Sequence, residues 1–196
     1  MNKTIAITGG IGRGKSTALK IIEKLGYKSF SADLTYKQLV LEEDFIKEIS
    51  TKLGVLPITV NGRLELNKAE ISKKVFASKV DLEKLNSITH PKIMQKLLND
   101  ANSIEGLAFC EIPLLYEGGF ENLFDYIFII QREDKKRFES ASKRDSKTIE
   151  QIEEIAKNQF DYAKIQQNAH TFIIENSGDE NALSEKIKVA IEKIKN

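Results

Sequence analysis

Gly9-Gly10-Ile11-Gly12-Arg13-Gly14-Lys15-Ser16-Thr17 decides how the rest of this chain is read. Gly9, Gly14, Lys15 and Ser16 satisfy the phosphate-loop pattern G-x-x-x-x-G-K-[ST]. The flanks agree with it. Thr4-Ile5-Ala6-Ile7-Thr8 is a β-branched and apolar run of the kind buried on both faces of a parallel sheet. On the other side, Ala18, Ile21, Ile22 and Leu25 fall on one helical face, and Gly26 suits a helix stop. Glycines let the backbone curl so that its N–H groups turn inward, and the helix N-terminus adds partial positive charge there. Gly10, Ile11, Gly12, Arg13, Gly14, Lys15, Ser16 and Thr17 are therefore expected to cradle the phosphates of a nucleoside triphosphate. Lys15 is expected to reach the β- and γ-phosphates, and the Ser16 hydroxyl to ligate Mg²⁺. Arg13 is expected either to point its side chain outward while its N–H serves the phosphates, or to add a cation near the nucleotide.

Working outward, Tyr27 to Ala32, Leu107 to Ile112, Tyr126 to Ile130 and Thr171 to Ile174 are further strand candidates, separated by long helical stretches. That alternation predicts an α/β fold, a P-loop NTPase-type parallel sheet flanked by helices, in one domain spanning 1–196. Phe45, Ile46, Ile49 and Leu53 mark one amphipathic helix, Gly54 to Gly62 is turn-rich, and Asn67 with Glu70 has the spacing of a capping box. Pro91 is expected to interrupt the next helical region and to start a new helix carrying Ile93, Leu97 and Leu98. The segment from about 133 to 168 is densely charged, and fits either a solvated helical hairpin or a mobile lid that carries cations to a phosphate. Leu183, Ile187, Ala190, Ile191 and Ile194 line one face of the last helix.

Composition narrows the function classes. A chain of 196 residues with 41% hydrophobic content supports one globular domain and a small insert. Lys plus Arg (30) nearly cancels Asp plus Glu (29), so no broad field favours nucleic acid or an anionic membrane. No nucleic-acid, membrane or obligate protein partner is expected. The single cysteine, Cys110, lies in an apolar run, reads as a small core residue and excludes an internal disulfide. The N-terminal apolar run breaks at Gly9, short of a signal-peptide core, and no stretch approaches the ~20 apolar residues that span a bilayer. A reducing, cytoplasmic setting is expected.

A phosphate loop alone does not separate a kinase from a GTPase switch or an ATPase motor. The nearest approach to the guanine-reading Asn-Lys-x-Asp is Asn67-Lys68-Ala69-Glu70, which ends in Glu. Asp33 closes the second strand candidate on the sheet edge where ligands of open α/β folds collect. It fits either a helix N-cap or the base that accepts a proton from an attacking hydroxyl. Glu111, near the end of the Leu107 strand, suits support of Mg²⁺ or its waters, or simple exposure at a strand end. Pro113-Leu114-Leu115-Tyr116-Glu117 follows it, apolar and aromatic enough for packing on an organic substrate or for ordinary core.

Taken together, several segments resemble the dephospho-coenzyme A kinase family. They are Ile7 to Gly12 leading into Gly14-Lys15-Ser16-Thr17, Ala32-Asp33, Val75-Phe76, Leu85-Asn86-Ser87-Ile88-Thr89-His90-Pro91, Pro113 to Glu117, Arg144-Asp145, Gln159 and Asn176-Ser177-Gly178. The resemblance implies an ATP-dependent, Mg²⁺-assisted phosphorylation of the ribose 3′-hydroxyl of dephospho-coenzyme A. It implies a helical substrate-binding insert over about 62–102 and a helical lid over about 133–168. Asp33 becomes the catalytic base beside Lys15, and Arg144 a lid cation on the transferring phosphoryl. His90, Leu114, Tyr116 and Glu117 become substrate contacts, and Asn176 an adenine contact. The chain departs from the family at Lys37 and Lys68, where Arg is usual, and at Ser140, where the lid usually has an Arg; Arg137 and Lys143 are the nearby substitutes. No role falls to His170.

Overall fold

The computed structural model describes residues 2–195. The chain divides into two compact units, Met1–Phe30 with Asp100–Asn196, and Ser31–Asn99. In chain order the elements begin with β1 (Lys3–Thr8), α1 (Lys15–Lys24) and β2 (Lys28–Ser31). There follow α2 (Ala32–Leu39), α3 (Glu43–Leu53), β3 (Ile58–Val60), β4 (Arg63–Glu65), α4 (Lys68–Ala77) and α5 (Lys79–Asn102). The chain ends with β5 (Leu107–Glu111), β6 (Tyr126–Gln131), α6 (Asp134–Asp145), α7 (Ile149–Lys157), β7 (Thr171–Glu175) and α8 (Glu180–Lys195).

The first unit is built on a five-stranded sheet in the order β2-β5-β1-β6-β7. β1 occupies the centre, pairing in parallel with β5 from Lys3↔Leu107 to Ile7↔Glu111 and with β6 from Ile5↔Tyr126 to Thr8↔Ile129. A strand with partners on both edges and helices over its faces must be apolar throughout, and Ile5, Ala6 and Ile7 are fully buried. Ala18, Ile21 and Ile22 of α1 join Leu183, Ile187, Ile191 and Ile194 of α8 against Ile5, Phe109, Phe128 and Ile174. These are the apolar stripes the sequence predicts, and they brace the strand that delivers the phosphate loop. The α/β parallel-sheet expectation holds. Among the described residues no helix is long and apolar enough to cross a membrane.

The second unit has its own core of Leu39, Phe45, Ile46, Ile49, Leu53, Leu66, Ile71 and Ile88. The helical region expected over about 62–102 falls largely within it, and the unit also takes in α2 and α3. Asn67 caps α4, its Oδ1 accepting from Glu70 N at 3.2 Å while its amide donates to Glu70 Oε2 at 3.1 Å.

One sequence expectation is refined here and one corrected. The stretch expected to be turn-rich, Gly54 to Gly62, also holds the first strand of the antiparallel hairpin β3–β4, with Val60 opposite Arg63. Asn61 (φ 49°) and Gly62 (φ 77°) form its two-residue turn, where positive φ at both positions matches the twist of the strands. Pro91 does not start a helix; it lies inside the continuous α5. It has no N–H for the Ser87 carbonyl, which costs about 3 kcal/mol in a helix interior. Buried residues on both sides, Ile88 and Thr89 before it and Met94 and Leu97 after it, hold the helix through that gap. Thr89 Oγ1 also donates to the Leu85 carbonyl at 3.0 Å.

Candidate active site

Leaving β1 at Thr8, the loop reaches α1 through Gly14, which caps the helix at φ 96°. A Cβ there would stand 2.2 Å from Asn176 Nδ2, so the close approach of Asn176 needs a glycine. Asn176 follows β7; its N–H donates to the Gln131 carbonyl at 2.6 Å and its side chain to the Arg13 carbonyl at 2.9 Å. The predicted adenine contact is thus attached to the loop itself. Lys15 Nζ donates to the carbonyls of Gly9 (2.6 Å) and Gly10 (3.2 Å), which lays the ammonium across the loop.

On the β5 side, Ser16 Oγ donates to Glu111 Oε1 at 3.4 Å. The pairing of Ile7 with Glu111 in neighbouring strands brings this carboxylate beside the loop. Hydroxyl and carboxylate are the hard oxygen donors that suit Mg²⁺, which takes one or two protein ligands and fills its shell with phosphate and water. Among the described residues no group of three or more His, Cys, Asp or Glu forms a self-sufficient metal site.

Arg144, in the last turn of α6, forks onto Asp145 with Nε–Oδ1 2.6 Å and Nη2–Oδ2 2.8 Å. That hydrogen bond, with a smaller contribution from the charge of Glu111, raises the Arg144 pKa; the same bond lowers Asp145. Lys143 beside it is exposed. Ser140, where the family-like pattern has Arg, accepts from Arg132 Nη1 at 3.1 Å, so a guanidinium reaches this position from the end of β6.

The Pro113–Glu117 segment divides its duties. Leu115 is fully buried core, whereas Leu114 is exposed. The Tyr116 ring stacks on Phe160 at 4.8 Å and meets Tyr162 edge-on at 5.9 Å. Glu117 Oε1 accepts from Phe160 N at 2.9 Å. Tyr162 in turn places its hydroxyl 3.0 Å from that of Thr8.

Arg13 departs from the outward expectation: its side chain turns inward and is only 17% exposed. Its Nη1 donates to the Arg132 carbonyl at 3.4 Å. Asp134 and the Arg132 carbonyl replace only part of the water an outward guanidinium would have, since Nε is left without a hydrogen-bond partner. Burial, then the charge of Arg137, lowers the Arg13 pKa, with Asp134 acting against both.

Asp33 and His90 belong to the second unit. Asp33 is exposed in the first turn of α2, and Ser31, not Asp33, holds the N-cap position. His90 is half-buried in α5, and burial lowers its pKa, which favours the neutral ring. Lys37 lies in the last turn of α2 and Lys68 opens α4; nothing in the structure explains why they are Lys. Sequence reading missed Asp134, Arg132 and Tyr162, because side-chain partners more than a hundred positions away leave no local pattern.

A family model described as Dephospho-CoA kinase matches residues 3–181. A Dephospho-CoA kinase of Listeria monocytogenes is 32% identical over 156 residues, covering 77% of each chain. One of Wolinella succinogenes is 30% identical over 199 residues, covering 100% of this chain and 96% of that one. The solved structure of a Dephospho-CoA kinase from Campylobacter jejuni matches with a TM-score of 0.68 at 26% identity, over 99% of this chain and 98% of that chain.

Proposed function

The chain belongs to the dephospho-CoA kinase family, and on that premise we propose how its residues carry the reaction. It is a kinase of the last step of coenzyme A synthesis, the family's transfer of the ATP γ-phosphoryl to the ribose 3′-hydroxyl of dephospho-CoA. The new bond joins the 3′-oxygen to Pγ, the bond from Pγ to the β–γ bridging oxygen breaks, and ADP leaves.

Gly10 to Thr17 hold the triphosphate, and Lys15 offsets charge on its β- and γ-phosphates. Ser16 binds Mg²⁺, with Glu111 supporting the ion or its waters. When bound, Mg²⁺ supplies charge neutralisation to the phosphate oxygens. Arg144 neutralises the moving phosphoryl from the lid over about 133–168, a kind of contact worth roughly 10³–10⁵-fold elsewhere. Asp33 accepts the 3′-hydroxyl proton; general base catalysis contributes roughly 10²–10⁴-fold. Asn176 faces the adenine, while His90, Leu114, Tyr116 and Glu117 contact dephospho-CoA, with the insert over about 62–102 completing that site. We assign all of this to one kinase domain, 1–196, acting in the cytoplasm on ATP and dephospho-CoA without nucleic acid, membrane or an obligate protein partner.

The observation that carries the reading is the loop with Lys15 over Gly9 and Gly10 and Ser16 against Glu111, inside a family match that runs from residue 3 to 181. The test follows ADP release with Mg²⁺-ATP against dephospho-CoA, nucleoside monophosphates and shikimate. Stimulation by dephospho-CoA alone supports the assignment. Stimulation by another acceptor, or slow hydrolysis indifferent to all of them, rejects it.

A further inference from the structure

Apart from the residues given catalytic roles, charged side chains from two distant segments meet on one arc of the phosphate loop. Asp134, the first residue of α6, accepts from Arg137 Nε at 2.6 Å and lies 3.9 Å from Arg13 Nη2. Arg13 also reaches the Arg132 carbonyl, just before α6. Arg137, itself buried, donates from Nη1 to the Ile11 carbonyl at 3.5 Å. A Cβ on Gly12 would stand 2.2 Å from the Arg137 carbonyl oxygen, so the backbone of α6 rests directly on the loop. From the far end of the same charged segment, Gln159 Oε1 accepts from the Ile11 N–H at 2.8 Å. The Gly10–Gly12 arc is thus held at both its carbonyl and its amide by the segment that follows β6.

Two covered guanidiniums share one carboxylate here, and Arg13 Nε is buried with no hydrogen-bond partner. Burying charge with incomplete pairing opposes folding. A cluster kept at that cost has its return in something other than stability. The surroundings name it: the arc belongs to the loop whose shape binds triphosphate, and α6 carries Arg144.

We propose that Arg13 is a positioning residue that, through Asp134 and Arg137, couples the shape of the Gly10–Gly12 arc to the seating of α6, so that ATP binding and lid placement are one linked equilibrium. The inference rests on the loop's reading as the ATP site. ATP that selects the braced loop also selects seated α6, and loosening α6 taxes ATP affinity by the same factor.

The test is a double-mutant cycle in the full chain with Arg13→Ser, Asp134→Asn and the double variant, reading the Mg²⁺-ATP dissociation constant by calorimetry. Each single change is expected to weaken ATP about tenfold, and the double to be no weaker than the worse single, because both remove one link. Hydrogen exchange of α6 amides in the ATP complex is expected to quicken in the same three variants, and the dissociation constant of dephospho-CoA alone to stay within about twofold of the parent. Arg13→Lys, which keeps charge but loses the fork, is expected to weaken ATP less than Arg13→Ser; it also replaces that variant in the cycle should the latter fail to fold. Unchanged ATP affinity in Arg13→Ser or Arg13→Lys, multiplicative losses in the double variant, or a fall in melting temperature without a change in ATP affinity overturns the proposal. Failure of the parent chain to release ADP with dephospho-CoA would instead reject the assigned reaction, and leaves the cycle readable on ATP binding alone.

Discussion

The hydroxyls of Thr8 and Tyr162 lie 3.0 Å apart, buried, at the point where β1 gives way to the phosphate loop. One group closes the central strand and the other belongs to the segment between α7 and β7, so the bond fixes the loop's starting point from across the unit. Tyr162 also carries the edge of the Tyr116–Phe160 stack.

Tyr162→Phe keeps that ring packing and removes only the hydroxyl. Thr8 is fully buried, so its own hydroxyl is left unpaired, a loss of about 1–3 kcal/mol. Urea titration is expected to show that drop, together with weaker Mg²⁺-ATP binding. A variant as stable as the parent and with the parent's ATP affinity would show that the bond contributes nothing.

Burial pushes the Tyr162 hydroxyl and the Cys110 thiol each up to about 12. Both folded values exceed the ordinary ones, so the folded chain holds these protons after the unfolded chain has released them. Stability is therefore full below about pH 7.5, where Cys in an unfolded chain (pKa about 8.5) starts to titrate, and declines as pH rises towards 12. Tyr162→Phe and Cys110→Ala are each expected to flatten the decline, measured by denaturant titrations at pH 8 and 10.5. Cys110 is also expected to resist alkylation in the folded chain at pH 8 and to react in guanidinium.

Asp33→Asn is expected to lower kcat at least about 10²-fold with ATP affinity retained, since a neutral amide keeps the size and loses the base. Near-normal turnover would remove Asp33 from that role. Lys15→Ala, in contrast, is expected to weaken ATP binding and turnover together, read by calorimetry and ADP release.

Pro91→Ala restores a donor for the Ser87 carbonyl in the middle of α5. Thermal melting is expected to rise, by up to about 3 kcal/mol in stability. A lower melting temperature would mean that the ring's own contacts outweigh the missing hydrogen bond.

Strands β1, β5, β6 and β7 and the phosphate loop were legible in the sequence because both depend on local signals: apolar runs of strand length, and glycines at fixed offsets from Lys15. The helix stripe of Leu183, Ile187, Ala190, Ile191 and Ile194 was legible for the same reason, and all five are buried. The β3–β4 hairpin had a signal too, Asn61-Gly62 between Ile58-Thr59-Val60 and Arg63-Leu64-Glu65, but strands so short and exposed lack apolar alternation. Pro91 misled because its local cost was overridden by burial along α5. Arg13 misled because the direction of its side chain depends on Asp134 and Arg132, whose proximity is a product of sheet order. Within the site, Lys15 and Ser16 could be named from position in a strand–loop–helix unit, and Glu111 from its place at the end of a strand. The Gln159 bond to Ile11 could not.

The central place of β1 has a consequence for how the chain is made. Its neighbours in the sheet are residues 107–111 and 126–131, and the side chains that seat its loop come later still, at Gln159, Tyr162 and Asn176. Synthesis runs from the N-terminus, so the phosphate loop leaves the ribosome early and waits for nearly the whole chain before it takes its shape. A polypeptide interrupted before Gln159 carries the complete motif but none of these later side chains, so it is expected to bind ATP more weakly than the finished chain.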